Sequence, residues 1–270
     1  MDQPPPRTAL SGPALVRLLA RIGETDVQAS QQPLADRLSQ WLGWTDAIGL
    51  STVLSAPAPA VATGARADGE DEAQRCLSLR SALSKAIVTD AVLAPPRPQP
   101  GHGRHARAQQ VQEAPDMPAD YAMYRQSYLA LQQKMEADIG DLRTRLRNRL
   151  AAQSSAMAKL AALDAVMERS LSVRERTLLG TVPGLLGKYF ERLRKADQAA
   201  EAAKAAEAET EAEAETKAEA GTETPAEAQP QNTRSAWLAT FRKDMQSLLL
   251  AELDVRFQPV EGLLAALRAR

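Results

Sequence analysis

Cysteine, histidine and aromatic side chains are scarce in this chain of 270 residues: one Cys, two His, and only 4 % Phe, Tyr and Trp together. Each scarcity excludes something. A lone Cys76 cannot close an internal disulfide and fits a reducing compartment. As a nucleophile it would need a base and a positive surround, and no histidine falls within a segment expected to be ordered. The two histidines share the string Gly101-His102-Gly103-Arg104-His105. That offers two metal ligands beside a cation-repelling arginine and without a nearby cysteine or carboxylate, so it reads as a basic linker. The carboxylates Asp244, Glu252, Asp254 and Glu261 lack the Glu-x-x-His pairs of four-helix di-metal sites; structural pairing is expected, with Glu252 meeting an arginine from another helix. Glycine-rich phosphate loops, Ser–His–Asp orders and Cys-x-x-Cys are missing too. No catalytic, cofactor-binding or metal-binding residue is therefore assigned, and neither an enzyme nor a small-molecule substrate is expected. No stretch reaches the roughly 18 apolar residues of a membrane span. The start, Met1-Asp2-Gln3-Pro4-Pro5-Pro6, lacks the basic-then-apolar order of a signal peptide, which points to a cytoplasmic protein.

What the chain does have is helical periodicity. Tyr121, Tyr124, Tyr128, Leu131, Met135, Ile139, Leu142, Leu146, Leu150, Met157, Leu160, Leu163, Met167 and Leu171 follow steps of three and four with one larger step, Leu150 to Met157. Between residues 119 and 171 there is no proline, and Gly140 is the only glycine. The pattern predicts one helix about 75 Å long at 1.5 Å per residue, which must pack on other helices or another subunit. From Tyr128 to Leu150 the spacing is an eleven-residue repeat. That drifts from a coiled-coil heptad and favours a helix inside a bundle. With so few aromatics and much alanine, close contact over small residues is the expected packing.

The rest divides around this helix. Residues 1–55 read as an N-terminal helical module. It holds Leu15, Leu18, Leu19 and Ile22 behind a Ser11 cap, then Leu34, Leu38, Trp41 and Leu42 behind a Ser30 cap, then a short apolar element from Thr45 or Asp46. Trp41 is expected in the core; Trp44 either joins it or stands exposed as a partner contact. Residues 56–71 are a linker, 72–94 a helix facing inward through Leu79, Leu83, Ile87 and Ala91 or Val88, and 95–118 a second, proline-rich linker. Residues 119–195 hold the long helix and its continuation. Ser172-Val173-Arg174-Glu175 suggests a capped restart there, and 180–187 a turn or kink. Residues 196–231 are low-complexity Ala/Glu, with ten acidic side chains and two lysines. This acidic tether leaves the remainder of the chain moderately basic. Residues 232–270 form C-terminal helices, one ending before Pro259 and a short one after it. Trp237, Phe241, Leu248 and Leu249 should bring the first of them back, antiparallel, onto the long helix.

Arg143, Arg145, Arg147 and Arg149 flank the apolar stripe in two i, i+4 rows. A phosphate-contacting strip is one reading. The absence of interleaved aromatics and the neighbouring Asp138 and Asp141 favour a solvated or partner-facing flank, so nucleic-acid binding is the alternative. The main reading is an all-α elongated bundle around a long central helix, acting as a non-enzymatic scaffold or adaptor. Its partner is another protein or a further copy, joined by helical packing.

Several strings resemble an uncharacterised proteobacterial family catalogued only as a domain of unknown function. They are Arg7-Thr8-Ala9-Leu10, Trp41-Leu42-Gly43-Trp44-Thr45-Asp46, Leu163-Asp164-Ala165-Val166-Met167-Glu168, Thr181-Val182-Pro183 and Gln258-Pro259-Val260-Glu261-Gly262-Leu263. The resemblance transfers no functional residue. It implies beta- and gammaproteobacterial relatives and an accessory role at an envelope-associated, motor-like assembly.

Overall fold

The computed structural model describes residues 12–25, 32–57, 69–94, 120–215 and 234–269, and among these every regular element is an α-helix. In chain order they are α1 (Ala14–Gly23), α2 (Leu34–Trp41), α3 (Trp44–Ser55), α4 (Gly69–Val88), α5 (Tyr121–Ala151), α6 (Ser155–Leu179), α7 (Val182–Glu215) and α8 (Arg234–Arg268). The all-α bundle is as expected, and α5 is its central member, touching α4, α6, α7 and α8.

The long stripe is divided. α5 starts at Asp120, whose carboxylate accepts the Ala122 N–H, and ends at Ala151. It is about 46 Å long rather than the 75 Å of an unbroken rod. The chain turns through Ala152–Gln153, and Ser154 caps α6 by accepting the Met157 N–H. The break falls in the one seven-residue gap of the stripe. There Ala-Ala-Gln-Ser-Ser has no large apolar group to hold a further turn against the core, and serine is a favourable helix start. α6 then returns antiparallel along α5: Arg143 pairs with Asp164, and Glu136 with Arg176. Its contact face is small, Ala158 and Ala161 being its buried residues. The expected restart at Ser172 does not occur; the helix runs unbroken to Leu179, and Ser172 donates to the Arg169 carbonyl.

After the turn at Gly180-Thr181, α7 sets Val182, Leu186 and Phe190 into the core. Gly187 permits the approach, since a Cβ there would lie 2.9 Å from the Tyr121 ring. Tyr121, in turn, donates its hydroxyl to the Pro183 carbonyl. Scarce aromatic mass is concentrated here. Tyr121, Tyr124, Tyr189, Phe190, Trp237 and Phe241 form one cluster, with Phe190 and Phe241 rings 5.0 Å apart.

α8 does come back onto α5, but parallel to it. Phe241 meets Tyr124, Glu252 meets Tyr128 and Gln132, and the Leu267 carbonyl accepts from Gln153. The geometry follows from the turn at Gln153: α6 already occupies the antiparallel position and delivers α7 to the start of α5, where Trp237 docks. Nor does α8 stop before Pro259, which lies inside it. Phe257, Val260, Leu263 and Leu267 continue the buried register of Phe241, Met245, Leu249 and Leu253. Burial on both sides outweighs the roughly 3 kcal/mol of an interior proline.

α4 packs antiparallel on α8 and α5, burying Cys76, Leu83 and Ile87; Val88 is exposed, and Asp90 caps the turn that buries Leu93. Residues 1–55 supply helices to two places. α1 docks on α7 and α8 through Leu15 and Ile22, whereas α3 lies on α6. Pro13 and Pro33 occupy the N-cap positions of α1 and α2, and neither helix has a side-chain cap; Ser11 and Ser30 lie outside the described residues. No helix among those described is long and apolar enough to cross a membrane.

Candidate interaction surface

The four arginines of the strip Arg143–Arg149 on α5 are engaged within the fold. Arg143 makes two hydrogen bonds to Asp164, at 2.6 and 2.8 Å. Arg147 reaches Asp164 and Glu168 from the same flank. On the other flank Arg145 and Arg149 both hold Glu72, which is 1 % exposed. The Arg145 hydrogen bonds keep the Glu72 carboxyl below its ordinary range against the opposing effect of burial. Three carboxylates thus face four guanidiniums, and the strip clamps α4 and α6 to α5.

Glu252 is fully buried and its carboxylate accepts from Tyr128 Oη at 2.9 Å, Gln132 Nε2 at 3.0 and 3.1 Å, and Arg256 Nε at 2.9 Å. The arginine that it meets is on its own helix, one turn on, and not on another as expected. α5 presents a tyrosine and a glutamine there instead. Arg256 continues to Glu175 on α6, so the network ties α5, α6 and α8 together. Desolvation, reinforced by Glu252, raises the Tyr128 hydroxyl far above its usual range.

Asp244 similarly accepts from Arg21 and from Tyr189, joining α1 and α7 to α8; burial and that bond push Tyr189 up to about 12. Asp254 and Glu261 both receive Arg80 of α4. Cys76 is packed in the core, where burial raises its thiol. Among the described residues no three His, Cys, Asp or Glu side chains gather as a metal site requires. His102 and His105 lie outside those residues.

Unpartnered surface gathers on α2 and α3. Trp41 is 38 % and Trp44 82 % exposed, so neither is core. α3 begins with the Gly43 N–H donating to Asp46, which also accepts from Ser170 on α6 at 2.8 Å. Those two hydrogen bonds, the Gly43 one first, keep the Asp46 carboxyl below its ordinary range. Gly49 lies close to Val166, and Leu50 and Val53 complete the inward side. The opposite side carries Trp44, Ile48 at 51 % and Leu54 at 57 % exposure, with Ala47, Ser51 and Ser55 between them. Asp46 is the helix's one charged residue, and it faces α6. Beside Trp41 opens a groove of about 410 Å³ between α5, α6 and α8, with Ile139, Met167, Leu171 and Pro259 in its lining.

Sequence reasoning placed Trp41 in the core and left Trp44 open between core and partner contact, because short apolar spacing reads equally well as core. A signal was present: Asp46 is the one charge in residues 44–55, which are otherwise apolar, small or hydroxyl-bearing, and a helix with so little polar surface tends to be covered on every side. Among the described residues the fold covers one side of it.

No curated protein and no solved structure matches the chain. Residues 1–269 match the family described as protein of unknown function, DUF3348, over practically the whole length. The chain belongs to that family.

Proposed function

We propose that this protein is a non-enzymatic helical scaffold or adaptor that assembles through the outward face of α2 and α3. The observation that carries the reading is Trp44, 82 % exposed on a helix whose outer side bears no charge. Contiguous exposed apolar surface of this kind marks interaction sites in folded proteins. The arginine strip supports the same reading by its position, since its guanidiniums face carboxylates of the fold rather than solvent phosphate. We place such an adaptor, as the resemblance alone implies, in an accessory role at an envelope-associated, motor-like assembly.

Photo-crosslinking in cells tests it. A benzophenone amino acid at Trp44 or Ile48 should give a discrete adduct, and one at the exposed Lys188 should not. Absence of any adduct from both Trp44 and Ile48 would overturn the proposal.

A further inference from the structure

We infer that the occupant of the α3 face is a second copy of this chain, paired antiparallel, α3 on α3, about a two-fold axis. The inference rests on the scaffold reading above and names its partner. Three features of the face carry it.

The first is the order of side chains along the outer stripe. In helical register Trp44, Ile48, Ser51 and Ser55 lie in one row, with Ala47 and Leu54 beside it. The N-terminal half of the row is large and the C-terminal half small. An antiparallel neighbour centred between residues 49 and 50 would set Trp44 over the partner's Ser55 and Ile48 over the partner's Ser51. Each bulky group then meets a small one, twice over, as an isologous contact requires. A parallel arrangement would stack indole on indole and leave the serines facing a gap.

The second is charge. Two identical surfaces can meet only if like charges are kept out of the contact. Here the single charged residue of α3 faces α6, where Ser170 and the Gly43 N–H bind it. The face therefore meets itself without repulsion and with no buried unpaired ion.

The third is area. With 82 % of Trp44, 51 % of Ile48 and 57 % of Leu54 open, the large side chains of α3 alone expose on the order of 400 Å² per copy. Adding Ala47, Ser51, Thr52 and Ser55 brings the patch to the lower end of specific interfaces, about 600 Å² per partner. A reversible dimer is the consequence, held by the α3 pair and dissociating on dilution.

Sedimentation equilibrium of the full chain from about 1 to 100 μM is the test. The wild type should pass from monomer to dimer within that range. Ile48→Glu, which leaves the α6 contact intact, should weaken dimerisation at least tenfold without changing the circular dichroism or the melting temperature. Cysteine placement checks the orientation, because Cys76 is buried and does not compete. An equimolar mixture of Ile48→Cys and Ser51→Cys chains, oxidised with diamide, should form the mixed interchain disulfide, whereas Trp44→Cys should not link to its own copy. A wild type that stays monomeric at the highest concentration would overturn the inference. So would a dimer indifferent to Ile48→Glu, or efficient linking through Trp44→Cys. A monomer that still gives a Trp44 photo-adduct with a different polypeptide would remove the second copy and leave the scaffold reading standing.

Discussion

Glu72 shows how one carboxylate can join two helices. Buried on α4 and held by Arg145 and Arg149 of α5, it lies below its ordinary value of 4.5. A depressed carboxylate stabilises the fold fully above its unfolded value and loses that contribution as pH falls through the lower folded value. Melting temperature should therefore drop on acidification below about pH 4.5, and Glu72→Gln should flatten that acid limb while lowering stability at pH 7. A pH series of melting curves for the two proteins checks both. Two glycines make a contrasting pair. At Gly140 nothing lies within 4 Å of an added Cβ, so Gly140→Ala should raise stability by about 0.5–1 kcal/mol through helix propensity. At Gly187 the Tyr121 ring is in the way, and Gly187→Val should cost about 1–3 kcal/mol. Denaturant unfolding of both variants reads these signs directly. Neither sign was legible in the sequence, where Gly140 sits in a helical pattern and Gly187 closes an expected turn or kink, because only the packed neighbour separates them.

Helices were the most legible level. Every long apolar stripe became helical, the longest as two helices, and the buried rows Leu83–Ile87, Tyr124–Leu150 and Phe241–Leu253 are those that periodicity marks. Connections were less legible, each for a local reason. The α5–α6 turn hides in the gap from Leu150 to Met157, where helix-forming alanine masks the loss of apolar contact. The Ser172 motif fits a cap, yet Leu171 and Leu179 keep partners on both sides of it and the helix continues. Pro259 fits a stop, yet the apolar register persists across it. The direction of α8 could not be read at all, because it depends on α6 taking the antiparallel slot. α8 supplies Phe241, Met245, Leu248, Leu249, Leu253 and Phe257 to the core, along with the buried Glu252. Ending the chain after residue 231 would uncover Tyr124 and Tyr128 and remove several side chains each worth about 1.5–3 kcal/mol. That exceeds the usual margin of stability, so the truncated protein should show no cooperative thermal transition. A cooperative unfolding curve like that of the full chain would contradict the packing described here.

At the scale of the molecule, charges and aromatics are spent on holding the bundle together, while α3 presents an uncharged apolar side to solvent. The candidate site was half legible. Trp-Leu-x-Trp drew attention to the right residues, but spacing alone could not tell a core tryptophan from an exposed one, because the difference depends on which side of α3 lies on α6. The central claim is that the fold leaves this face open and that assembly closes it. Tryptophan emission from a variant retaining only Trp44, with Trp41 and Trp237 changed to Phe, tests it most directly. At high dilution the emission should lie at the wavelength of indole in water, and it should move to the blue as the protein is concentrated. Blue-shifted emission that is already complete at the lowest concentration would show that the fold itself buries Trp44, and would contradict the account.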